Sequence, residues 1–347
     1  MDIPAVPFQY VKDCVAEKVM IPMRDWFGEC KTKKRNDVYY HQRTNLKLFP
    51  LPDNRSREIE EINQCVLEYV QSGWSRPLKT CKRRTIYIQP FVRRNEKHQK
   101  SWSPNSKELR DRMTSFLKSY FGCQVKTMSP LFIDQKEKHC ALVRFKRPLK
   151  GKKRRRTETI EVKRRTGSKK MPLLSVLDLL DVVHAVLPSD AYIILGVTDV
   201  DIYETDDCMD GSLRGRAFGG SRIAVFSTAP LRRDLSDKSV SIAKAWSYMF
   251  GTVAHETLHC FGLDHCGLYR CCMNSWSDTM VEFGGSSVEN GDLVVGCIHL
   301  CPICIHKLYH CAGFCLKERL KCLSKTYVAL GIKEQADWCD ALLSLTK

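Results

Sequence analysis

Eleven consecutive residues constrain this chain more than any others: His255-Glu256-Thr257-Leu258-His259-Cys260-Phe261-Gly262-Leu263-Asp264-His265. Their pattern is HExxHxxGxxH. Residues four apart on an α-helix share a face, so a helix here presents the imidazoles of His255 and His259 to one point. Gly262 lacks a Cβ and tolerates a positive φ, which ends the helix and turns the chain so that His265 returns to the same point. Three neutral histidines around Zn²⁺ leave a fourth position open, which is the arrangement of a catalytic rather than a structural zinc. Zinc lowers the pKa of its water towards neutrality, and Glu256, beside the first ligand, takes the proton as the hydroxide attacks a carbonyl. The bland alternative is a helix carrying two incidental histidines. Five fixed positions would coincide by chance in a chain of this length with odds of roughly 10⁻⁴, which favours the zinc reading.

The residues before the motif suit a rigid platform. Ile242, Ala245, Trp246, Met249, Phe250 and Val253 make an apolar helix over about 239–261. Gly251 inside it costs about 1 kcal/mol relative to alanine. Either another backbone approaches closely there or the glycine is merely tolerated on the surface.

Cysteine usage gives a second constellation. Of 18 cysteines, seven lie in residues 1–259 and eleven in residues 260–339. The amino-terminal stretch MDIPAVPFQYVKDCVAEKVM lacks the apolar run of a secretory signal, so clustered cysteines read as metal ligands or reduced thiols, not disulfides. Cys266 and Cys271 followed by the knuckle Cys301-Pro302-Ile303-Cys304 suffice for a closed, tetrahedral Cys₄ zinc that supports folding. Cys272, Cys297, Cys311, Cys315, His306 and His310 are nearby rivals. The segment 293–316 is apolar enough to imitate a membrane span, but Pro302, Lys307 and three histidines argue against one.

Together these residues resemble the archaemetzincins, metzincin-clan zinc proteases found inside cells. Cys266, four residues, Cys271-Cys272-Met273 and the later CPIC follow the family pattern, although the 27 residues between Met273 and Cys301 make a longer spacer, as an insertion at 274–292 would. The resemblance is firm over about 190–320 and weakest at 1–80 and 147–157. It implies a catalytic zinc on His255, His259 and His265, with Glu256 as general base and acid. It also implies a second zinc on Cys266, Cys271, Cys301 and Cys304, Met273 as the Met-turn methionine, and aminopeptidase-like or short-peptide hydrolysis. Ser221–Ser227 resembles the edge strand along which metzincins pair with a substrate backbone, though an ordinary core strand fits equally well.

The net charge of +17 is local. Residues 144–170 hold fourteen Lys/Arg against Glu158 and Glu161, which is +12 of the total. The run Lys150–Arg156 lies between strand candidates and reads as a solvated loop or as a weak, salt-sensitive patch for a polyanion or an import receptor. No aromatic residue lies within Lys146–Lys170, so stacking on single-stranded nucleic acid has no support. A zinc-stabilised binding protein with a catalytically silent scaffold is the competing function, and it leaves the histidine motif unexplained.

Periodicity supplies the rest. Helices are expected over 56–71, 105–121, 173–187 and 334–345, with strands at RTIYIQPFV, CQVKTMSPL, HCALVRFK, TIEVK, AYIILGVTDV and SRIAVFS. The expected fold is α+β with α/β layering: a twisted mixed sheet packed on the active-site helix, then a Cys-rich, zinc-binding, helical carboxy-terminal part. The expected parts are an extension over 1–83, a catalytic region over 84–265 with a basic insertion at 147–157, and a Met-turn and Cys₄ subdomain over 266–347. Two zincs per chain, a peptide or protein substrate and an intracellular location, cytoplasmic or nuclear and not at a membrane, complete the expectation.

Overall fold

The computed structural model describes residues 64, 66–72, 83–94, 102–135, 140–148, 155–167, 171–205, 213–266, 271–274 and 298–344. In chain order the elements begin with helix α1 (Val66–Gln71), strand β1 (Thr85–Arg93) and helix α2 (Lys107–Phe121). Strands β2 (Gln124–Thr127), β3 (Leu131–Gln135), β4 (Cys140–Pro148), β5 (Arg155–Thr166) and β6 (Pro172–Ser175) follow, then helix α3 (Val176–Ala185). Next come β7 (Ala191–Thr198), β8 (Asp201–Tyr203), β9 (Gly215–Ala217) and β10 (Ile223–Ser227), followed by α4 (Ala229–Ser236) and α5 (Ile242–Cys260). Helices α6 (Pro302–Ala312), α7 (Leu316–Leu330) and α8 (Lys333–Ser344) complete the described chain.

The strands form one mixed sheet in the order β8-β6-β5-β4-β3-β1-β7-β10-β9, with β2 also on β1. Strands β2 and β3 share one flank of β1 in succession: Thr85–Ile88 face Gln124–Thr127, and Phe91–Arg93 face Leu131–Ile133. The expected strand CQVKTMSPL is therefore split. Pro130 has no N–H for a ladder, and Gln89 reaches across to donate to the Ser129 carbonyl at 3.0 Å.

The parallel strand β7 is buried along its whole length, as expected of a strand covered on both faces. Its side chains alternate between two cores. Ile193, Leu195 and Val197 join Ile86, Ile88, Ala224 and Phe226 on the face that meets α2 and α5. Ile194 joins Phe91, Val225, Val143 and Val162 on the other face, where the sheet curls around α3 through Leu179, Leu180 and Val183. The first core runs without a break into the carboxy-terminal helices through Leu320, Leu323, Tyr327 and Leu342.

Several expected boundaries move. The helix read from Leu173 begins at Val176, because Ser175 caps it by accepting from the Asp178 N–H at 3.3 Å, and Pro172–Ser175 pair as a strand instead. The strand read at Ser221–Ser227 is not at an edge: β10 lies between β7 and β9, fully buried. The Cys-rich carboxy-terminal part is helical from Pro302, as expected. Cys301 caps α6 with proline at its start, and Gly313 ends it in the left-handed region at φ 64°. Ile242, expected on the apolar side of α5, is 70% exposed. Of the amino-terminal helix read over 56–71, residues 64 and 66–71 fall among the described residues, and Val66–Gln71 are helical. No helix among the described residues is long and apolar enough to cross a membrane.

Candidate metal centres

Helix α5 starts where Ser241 accepts from the Lys244 N–H, and it is buried on nearly every side from Ala245 to Leu258. A helix enclosed in this way is a rigid mount, so side chains near its carboxy-terminal end are placed accurately. Gly251 is buried within that enclosure, which excludes the surface reading, and its carbonyl accepts from the Cys272 thiol at 3.7 Å. The helix ends at Cys260, and Gly262 turns the chain at φ 89°, as the motif requires.

His255 and His259 lie one turn apart with their Nε2 atoms 3.0 Å from each other. Each Nδ1 faces a backbone carbonyl, Cys272 O at 2.7 Å for His255 and Leu263 O at 2.8 Å for His259. A carbonyl can only accept, so both Nδ1 atoms carry hydrogen and both Nε2 atoms present lone pairs. Two lone pairs aimed at each other repel unless a cation lies between them. His265 completes the group, its ring centroid 5.2 Å from His255 and 4.9 Å from His259. One ligand atom from each of the three lies within 4.8 Å of the others. Tetrahedral zinc with Zn–N near 2.05 Å needs about 3.3 Å between nitrogens, so the donor set fits that ion with a small opening of the pair. Glu256, 2% exposed, follows His255 on the helix and lies against β9.

The turn that returns His265 is braced from afar. Tyr69 donates its hydroxyl to Phe261 O at 2.9 Å, and Phe261 stacks on Phe121 at 5.1 Å. Gln64 donates to Gly262 O and to the Asp264 carboxylate, and buried Lys307 donates to the Gln64 carbonyl. Burial raises the Asp264 pKa, with Lys307 pulling the other way. Sequence reasoning missed Gln64, Tyr69 and Asp264 because their partners lie about two hundred positions away and no local pattern marks them.

The second group joins Cys266, Cys271, Cys301 and Cys304, all buried, with their sulfur atoms within 4.8 Å of one another. The Sγ atoms of Cys266 and Cys301 are 3.7 Å apart. That is far beyond a disulfide of about 2.05 Å and close to the ~3.8 Å edge of a tetrahedral zinc–sulfur site. Backbone N–H groups point at these sulfurs: Cys301 and Met273 donate to Cys271, and Cys304 to Cys301. Such bonds suit thiolates. Hydrogen bonds from Cys271, Cys301 and Cys304 hold Cys266 well below the usual thiol range, whereas burial pushes Cys301 up.

Of the rival ligands, Cys272 is turned towards Gly251, Cys311 bonds Tyr192 at 3.3 Å, and Cys315 is exposed. His306 and His310 lie on α6 outside the group, and Cys297 lies outside the described residues.

Met273 is fully buried, in the same core as the apolar residues of α5. Its carbonyl accepts from Cys266 N at 2.7 Å, and the neighbouring Cys272 carbonyl holds His255. One tight loop thus serves both groups. Cys272 N donates in turn to His299 O at 2.7 Å, and the His299 ring stacks on Trp338 of α8 at 3.7 Å.

No family model matches the chain. Among curated proteins it is 29% identical to archaemetzincin-2 of Homo sapiens, over 42% of this chain and 44% of that protein. It is likewise 29% identical to archaemetzincin-2 of Rattus norvegicus, over 40% and 42% respectively. The chain thus spans less than half the length of the curated relatives it matches. Among solved structures, a zinc-dependent peptidase from Methanocorpusculum labreanum aligns at 17% identity and a TM-score of 0.37, covering 65% of this chain and 99% of that one.

Proposed function

From the premise that this chain is archaemetzincin-like, we propose that it is a zinc metallopeptidase whose catalytic ion is held by His255, His259 and His265. The observation that carries the reading is the pair of Nε2 lone pairs 3.0 Å apart, each fixed by a carbonyl at its Nδ1, beside a buried glutamate. Zinc bound there supplies a Lewis acid that polarises a peptide carbonyl and makes water acidic enough to lose a proton near neutrality. Glu256 accepts that proton and returns it to the leaving amine, acting as base and then acid. The carbonyls of Cys272 and Leu263 keep the two imidazoles oriented, which raises their basicity as ligands.

Cys266, Cys271, Cys301 and Cys304 hold a second, structural zinc, giving two ions per chain. Met273, one residue after the carbonyl that holds His255, serves as the Met-turn methionine. The substrate is a peptide or protein, cut in aminopeptidase-like fashion or as short peptides. The resemblance to archaemetzincins carries that last detail. The same resemblance carries the location: the protein acts inside the cell, in cytoplasm or nucleus.

Glu256→Gln tests the reading. Hydrolysis of a fluorogenic peptide library should cease while zinc content stays at two; unchanged turnover would refute the proton transfer, and a content of one would remove a site.

A second contact is proposed at the β4–β5 hairpin. Its antiparallel register runs from Cys140↔Lys163 to Pro148↔Arg155, so two strongly basic strands lie side by side. A polyanion or an import receptor would bind there weakly and with steep salt dependence. Deleting 150–156 should then weaken heparin retention and leave hydrolysis of neutral peptides intact. Retention unaffected by the deletion would reject the contact.

A further inference from the structure

We propose that Gly215 is a positioning residue for the Glu256 carboxylate: strand β9 bears no side chain at this point so that the carboxylate can lie against its backbone. The inference rests on the reading of Glu256 as the proton carrier.

A Cβ placed on Gly215 would lie 2.7 Å from Glu256 Cγ, 3.0 Å from Oε1 and 3.1 Å from Cδ. Carbon atoms at van der Waals contact are about 3.5–4.0 Å apart, so something would have to move. Backbone freedom is not the reason for glycine here, because Gly215 does not adopt a positive φ. The residue is there for room.

The strand cannot retreat to make that room. Phe226 pairs with Gly215 across the β10–β9 ladder, and Ser227 N donates to Arg214 O at 2.8 Å. Arg214, 3% exposed, pairs with Asp234 of α4 and lies over the Tyr248 ring of α5 at 5.8 Å. The backbone just before Gly215 is thus tied to β10, and the Arg214 side chain to two helices.

On the opposite side α5 is enclosed and cannot shift. The atom nearest the added methyl is Cγ, in the middle of the Glu256 side chain rather than at its mobile end. Relief therefore needs rotation about Cα–Cβ, which carries the carboxylate away from its place. The histidines, held through their own carbonyls, have no cause to follow. A misplacement on the order of 1 Å is worth about 10²-fold in rate.

The test compares Gly215→Ala, Glu256→Ala and the double variant in the full-length, zinc-loaded protein. Gly215→Ala should keep both zincs, lower kcat at least tenfold with little change in KM on the peptide library, and lower Tm. In the Glu256→Ala background the same glycine substitution should leave Tm unchanged, since the colliding atoms are gone. If Gly215→Ala alone yields no folded protein, folding of the double variant supports the collision, and failure of both refutes it. Equal Tm losses in the two backgrounds, or full kcat in Gly215→Ala, would overturn the proposal. Full turnover by Glu256→Gln is a separate failure: it removes the proton-carrier reading, while the Tm comparison still reports on the collision.

Discussion

Replacing Asp234 by alanine isolates the ion pair that anchors the edge strand beside Glu256. Both terminal nitrogens of Arg214 lie 3.4 Å from a single oxygen of Asp234, so the pair is loose by the standard of about 2.8 Å for a strong charge-assisted bond. Its burial is nevertheless severe, with side-chain exposures of 4% for Arg214 and 14% for Asp234. Burial lowers the Arg214 pKa and raises that of Asp234, each against the pull of its partner, so desolvation outweighs attraction on both sides.

In such a site the pair adds little net stability, but a stranded partner is costly. Buried pairs broken on one side typically lose about 3–5 kcal/mol, and water reaching the partly open Asp234 edge places Asp234→Ala near 2–3 kcal/mol. Arg214→Met is milder, about 1–2 kcal/mol, because an abandoned carboxyl group can take up a proton. The double variant Arg214→Met/Asp234→Leu should fall within about 1 kcal/mol of wild type, leaving a coupling of roughly 2–4 kcal/mol. Urea unfolding of the zinc-loaded protein, followed by tryptophan fluorescence, measures each term. A loss below about 0.5 kcal/mol for Asp234→Ala, or a double variant as costly as its two singles combined, would show that Arg214 is not a desolvated cation in this fold.

Gly196→Ala should destabilise by about 1–3 kcal/mol, because its methyl would meet Val183, Phe91 and Val225 at 2.8–2.9 Å between α3 and the sheet; chemical denaturation reads the loss. Tyr69→Phe removes the bond to Phe261 O and should cost about 1 kcal/mol on the same scale, with zinc retained. Burial pushes the Cys123 and Cys339 thiols up to about 12, so both stay protonated near neutral pH. Iodoacetamide should therefore label exposed Cys315 and Cys322 in the native protein and spare the other two until denaturant is added, as peptide mass mapping will report.

The residues of the candidate site were legible because their chemistry depends on short spacings. A four-residue step sets His255 and His259 on one helix face, and the turn at Gly262 returns His265 within three residues. The knuckle of Cys301 and Cys304 is equally local, and spacing alone put Cys266 and Cys271 ahead of Cys272 and Cys311, whose contacts with Gly251 and Tyr192 only the fold shows. Helix α2 was likewise readable, from Leu109, Met113, Phe116, Leu117 and Tyr120 on one face and Gly122 at its end. A similar stripe at Leu316, Leu320, Leu323, Tyr327 and Leu330 marks α7, but the density of cysteines and basic residues around it concealed the pattern.

The sequence alone determined the helical histidine motif, the cysteine knuckle and the alternation of strands with helices, because periods of two and 3.6 residues and the dihedral range of glycine act over a few positions. Tertiary structure alone decided that β10 is interior and that β9 is the edge among the described strands, since strand order depends on pairings such as β1 with β7 across a hundred residues. It also decided that Gln64 and Tyr69 brace the turn before His265, and that the absence of a side chain at Gly215 leaves space for Glu256. Such contacts join segments remote in the chain, and the space between them exists only once both cores have packed.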